Sequence, residues 1–76
     1  MITDKPNAVR GFIITHYGTY ENCAKALNLS VGTVGTWAGD RPRSLLKYAP
    51  EICDQLSIDG NLIVQAVKEH LRQING

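Results

Sequence analysis

The sequence predicts an all-α fold, a small five-helix bundle containing a helix-turn-helix, and three observations carry that expectation. From Tyr20 to Trp37 the apolar and small residues fall where two short helices need them in order to pack at a steep angle. Glycine and proline clusters divide the rest of the chain into helix-sized pieces. No segment alternates apolar and polar residues with the period of a strand.

The elements follow in order. Pro6 suits the first turn of a helix running to about Tyr17, with Gly18 at its end, and Ala8, Val9, Phe12, Ile13 and His16 form one apolar arc along it. Thr19 can cap a second helix that carries Glu21 near its positive end and finishes around Leu27. Ala24 is small enough for close approach of a neighbouring helix, and Cys23, Leu27, Leu29, Val34 and Trp37 supply apolar contact. Asn28 falls at the turn, where a left-handed backbone is needed and Asn tolerates it. Ser30 can cap a third helix over about residues 31–38, and Gly39-Asp-Arg-Pro42 breaks the chain after it. A fourth segment, about 44–56, is interrupted by Pro50, giving either two short turns or one kinked helix. The final helix spans about 59–74.

The stretch from Tyr20 to Trp37 resembles the helix-turn-helix of the lambda-type phage repressor and Cro family. Ser30 to Trp37 is similar to the recognition helix of those proteins, with Ser at its cap, Val34 inward and a large apolar residue three positions later. The family usually has Gly at the turn, where this chain has Asn28. The resemblance covers about a quarter of the chain. It implies a sequence-specific regulator binding double-stranded DNA at a near-palindromic operator.

The third helix has an unusual composition for a structural element. Gly32 and Gly35 each cost about 1 kcal/mol relative to Ala inside a helix. Two explanations are open. Either the glycines relieve crowding against neighbouring elements, or Ser30, Val31, Gly32, Thr33, Gly35 and Thr36 face a major groove, the glycines admitting the backbone close to DNA. Lys25, Arg41, Arg43 and Lys47 are the candidates for phosphate contact. The resemblance adds Tyr20, because the residue starting the second helix contacts the DNA backbone in that family.

Net charge is only +1, but its distribution is uneven: residues 25–47 carry +3 and the remainder −2. Positive charge therefore concentrates on the candidate recognition unit and the loop after it.

The last helix carries a second clue. Ile63, Val64, Val67, Leu71 and Ile74 form one stripe, while Leu62 and Ala66 lie on another face with Ile58. One face is expected to meet the chain's own core and the other a partner, and the stripe is taken as a homodimer interface. A twofold dimer would set two recognition helices about 34 Å apart, one turn of duplex.

Other classes find little support. His16 and His70 lie far apart, no carboxylate pair has catalytic spacing, and no glycine loop is built to cradle phosphate, so no enzymatic activity is expected. Cys23 and Cys53 make no metal-type spacing with either histidine, and neither metal, cofactor nor small-molecule ligand is expected. With no membrane-length apolar run and a polar Thr3-Asp-Lys-Pro6 start, the expected location is the cytoplasm. The 76 residues are read as one DNA-binding domain, nearer to Cro than to a full-length repressor. The alternatives are a tetrameric phage activator, an antitoxin-type autorepressor, or a helical protein-interaction module that keeps the shape without the DNA role.

Overall fold

The computed structural model describes residues 7–75, and within them every regular element is helical. The order is α1 (Ala8–Tyr17), α2 (Tyr20–Leu27), α3 (Val31–Trp37), a 3-10 helix (Pro42–Tyr48), α4 (Ala49–Leu56) and α5 (Gly60–Asn75). Helix α1 starts at Ala8, because the Asn7 side chain accepts from the Arg10 amide at 2.9 Å and so caps it. Pro6 and the polar start from Thr3 lie outside the described residues.

The helix ends follow local chemistry. Gly18 closes α1 at φ 88°, a left-handed conformation that costs glycine little. Thr19 caps α2 by accepting from the Asn22 amide at 3.0 Å. Asn28 takes the left-handed conformation expected of it, φ 59° and ψ 46°, and the Leu29 amide then reaches back to the Ala24 carbonyl at 2.8 Å. Ser30 caps α3, accepting from the Thr33 amide at 3.2 Å.

The region after α3 resolves the ambiguity at Pro50. An α-helix running through it would need the Pro50 nitrogen to donate to the Leu46 carbonyl, and proline has no proton there. The chain instead winds as a 3-10 helix whose Leu46 carbonyl accepts from the Ala49 amide, and α4 restarts with Pro50 in its first turn. At three residues per turn, Pro42, Leu45 and Tyr48 share the inward side. Pro42 and Leu45 are buried, and Tyr48 packs against Trp37 with ring centroids 5.3 Å apart and the rings tilted by 34°.

The core joins Val9 and Ile13 of α1, Cys23, Ala24 and Leu27 of α2, Val34 and Trp37 of α3, Leu45, Ile52, and Ile63 and Val67 of α5. This corrects the interface expectation for α5 at Ile63 and Val67. Ile63 is 0% exposed and Val67 2%, and Val64 and Leu71 are half-buried, Leu71 against that core. Of the stripe, only Ile74 stands in solvent. Helix α5 is the longest of the described helices, and α1 and the 3-10 helix pack across it where Ile63 and Val67 are buried. Leu62, on the other face, is 46% exposed beside a groove bordered by Phe12 and His16 of α1.

One buried polar residue sits among these apolar groups. His70 is 2% exposed, its Nε2 lies 2.7 Å from the Gly39 carbonyl, and its Nδ1 has no partner among the described residues. An unsatisfied buried group of this kind costs about 1–3 kcal/mol. The Trp37 indole nitrogen is likewise buried without a partner.

Candidate nucleic-acid interface

Helix α3 is held from below and open from above. Val34 and Trp37 anchor it in the core, while Val31, Gly32, Thr33 and Thr36 are exposed and Gly35 is half-buried. A Cβ built on Gly32 or on Gly35 would meet nothing within 4 Å. The fold therefore gives these two glycines no crowding to relieve, and that explanation of their presence is removed.

The exposed side of α3 forms one wall of a cleft of about 520 Å³, contributed by Ser30, Gly32, Thr33 and Thr36. The 3-10 helix and the residue before it form the opposite wall with Arg41, Ser44, Lys47 and Tyr48. Two cations thus face a row of hydroxyls and bare backbone, which gives the cleft donors for an anion beside a surface able to approach another molecule closely.

The hydroxyls of α3 are partly committed. Thr36 Oγ1 donates to the Thr33 carbonyl at 2.6 Å, which uses its proton and leaves its lone pairs outward. Ser30 Oγ and Thr33 Oγ1 lie 2.9 Å apart and share one proton, so one of the two keeps a free donor.

Ser30, Gly32, Thr33, Thr36, Arg41 and Lys47 are therefore brought together, as six of the candidate contacts. The other five lie elsewhere. Val31 is 49% exposed on α3 but outside the cleft lining, as is Gly35. Arg43 is exposed on a different row of the 3-10 helix, and Lys25 projects from α2. Tyr20 lines a separate hollow with Arg10, Ile14 and Thr19. Burial raises its phenol above the ordinary value of 10.0, and the nearby Arg10 guanidinium partly opposes that.

Ser44 and Tyr48 were missed as cleft residues. The signal was present in the spacing: Ser44 and Lys47 lie three apart, one turn of the 3-10 helix, and Arg41 stands three positions before Ser44, so the three share one side.

Comparison of the chain with protein-family models, curated proteins and solved structures gives no match.

Proposed function

We propose that this chain is a sequence-specific DNA-binding transcriptional regulator of phage or prophage type, reading an operator with α3 and acting as a homodimer. The observation that carries it is the open space over Gly32 and Gly35 on a helix whose neighbouring wall holds Arg41 and Lys47. Two glycines in a seven-residue helix weaken it, with no compensation inside the fold. Close approach of an external surface supplies that compensation, and flanking cations suit a polyanion.

In this reading Thr33 and Thr36 touch base edges, with hydroxyls for hydrogen bonding and methyl groups for thymine, while Arg41 and Lys47 fix the register on phosphates. Pairing of two copies follows from the needs of operator recognition, since one seven-residue helix reads few base pairs and a second half-site multiplies specificity. The interface of such a pair would exclude Ile63 and Val67, which belong to the core.

The test is selection of bound sequences from random duplex DNA by the full chain. A recovered inverted repeat with half-sites about ten base pairs apart supports the proposal. Absence of binding to any duplex at low salt overturns it, and recovery of a protein partner with no DNA would favour the interaction module.

A further inference from the structure

His70 is the one buried side chain of polar character in the described core, and its bond to Gly39 spans α5 and the loop leaving α3. The Gly39 carbonyl can only accept, so Nε2 carries the ring proton and Nδ1 is the nitrogen left without a partner. A leucine or phenylalanine would fill the same space with no unsatisfied atom. What the imidazole provides there, and those side chains would not, is the hydrogen bond to the loop.

That loop is held from both sides. The amides of Gly39 and Arg41 both turn back onto the Thr36 carbonyl, at 3.1 and 3.0 Å, and the Ser44 amide donates to the Arg41 carbonyl at 3.1 Å. On the other side, Asn7 Nδ2 donates to the Ala38 carbonyl at 2.8 Å, and His70 holds the next carbonyl along. Gln73, one helical turn from His70, accepts from the Ala8 amide at 3.0 Å and ties α5 to the start of α1. Arg41 thus follows a peptide whose carbonyl is held by His70 of α5, while its own amide is held by Thr36 of α3.

We infer that His70 is a positioning residue for the cleft: through the Gly39 carbonyl it fixes Arg41, and with it the 3-10 wall, relative to Thr33 and Thr36. This rests on the DNA reading for its functional consequence, though the coupling of His70 to Arg41 is measurable without DNA. Exchange of a single hydrogen-bond donor deep in the fold is then expected to change the cationic edge of the cleft, not the stability of the core.

The experiment compares the wild-type chain with His70→Leu and His70→Gln. Amide exchange at Gly39 and Arg41, thermal unfolding, and a salt series on the selected operator are measured for each. His70→Leu is expected to stay folded while Arg41 amide exchange accelerates at least tenfold, operator affinity falls about tenfold and the salt slope drops by about one unit. The Gln side chain carries an amide donor at the reach of Nε2, so His70→Gln should recover most of each loss. Unchanged exchange and affinity in His70→Leu, or a Gln variant as impaired as Leu at equal stability, overturns the inference. Should His70→Leu fail to fold, the ring itself decides: nitrogen chemical shifts of the wild-type imidazole must report a proton on Nε2, and a neutral ring protonated at Nδ1 overturns it. If the wild-type chain binds no duplex, the DNA reading fails separately, and amide exchange alone decides the coupling.

Discussion

The Thr36 hydroxyl donates to the Thr33 carbonyl one turn back, at 2.6 Å, so the two threonines on the open side of α3 are chemically unequal. A hydroxyl that has given its proton to its own helix offers a partner only lone pairs. Thr36 should therefore favour bases presenting amino donors, adenine N6 or cytosine N4, with its methyl group free to meet thymine. Thr36→Ala is expected to lose about 1–3 kcal/mol of discrimination at one or two base positions while the fold is retained. Thr36→Ser should keep the hydrogen-bond preference and lose the methyl contact. Equal weakening on operator and random duplex would show that Thr36 reads no base.

Gly32 and Gly35 make the sharpest contrast between stability and function. Because a Cβ at either position meets nothing, Gly32→Ala and Gly35→Ala should each stabilise the free chain by up to about 1 kcal/mol, through helix propensity and a less flexible unfolded state. The same methyl group would stand between α3 and DNA, so operator affinity should fall as stability rises. Denaturant unfolding and binding measured on the same variants check this. Affinity that is unchanged or improved would remove the glycines from the interface.

The helix-turn-helix was legible because its constraints are local. Caps at Thr19 and Ser30, a left-handed Asn28 and inward Val34 and Trp37 each follow from side-chain chemistry within a few residues. What escaped depends on contacts distant in sequence. A helix-period stripe on α5 looks the same whether a core or a partner covers it, and only the packing of α1 and the 3-10 helix decides for Ile63 and Val67. The two ties to the loop after α3, from Asn7 and from His70, each bridge 31 positions, and no spacing rule anticipates them. Ser44 and Tyr48 likewise face the cleft only because the 3-10 helix packs beside α3, a contact no local spacing specifies.

The cations should separate into two classes. Arg41 and Lys47 line the cleft and Arg43 does not. Replacing Arg41 or Lys47 with Ala should weaken binding to all sequences and reduce the magnitude of the salt slope by about one unit each. Arg43→Ala should change it by clearly less. Three equal effects would indicate that the bound surface extends past the cleft, and three null effects would remove the electrostatic part of the proposal.

Alkaline pH should expose the packing of α1 against α2. Burial raises the Tyr17 phenol from 10.0 to about 12, assisted by the proximity of Cys23, and raises the Cys23 thiol from 9.0 to about 11. The folded chain holds both protons more tightly than the unfolded chain. Their contribution is therefore complete below 9.0, is lost for Cys23 as pH climbs to about 11, and for Tyr17 between 10.0 and about 12. Denaturant midpoints across this window should fall with pH, and Cys23→Ala with Tyr17→Phe should flatten the curve. In the native state near neutral pH, Cys23 should also resist alkylation, being a buried neutral thiol.

The two faces of α5 give the last prediction. A chain of 76 residues has a stability of roughly 4–11 kcal/mol at the usual 0.05–0.15 kcal/mol per residue. Val67→Glu places a carboxylate in the core beside the buried Ile63, where the only buried polar side chain among the described residues is the His70 imidazole one turn on, a burden of several kcal/mol. That variant should lose its helical circular dichroism or unfold far below the wild-type temperature. Leu62→Glu lies on the open face, and its stability should stay within about 0.5 kcal/mol of wild type. Sedimentation of the same two proteins then locates any pairing surface. A folded, monomeric Val67→Glu chain beside a dimeric wild type would return the stripe to the interface, whereas an unfolded Val67→Glu with a folded Leu62→Glu fixes it as core.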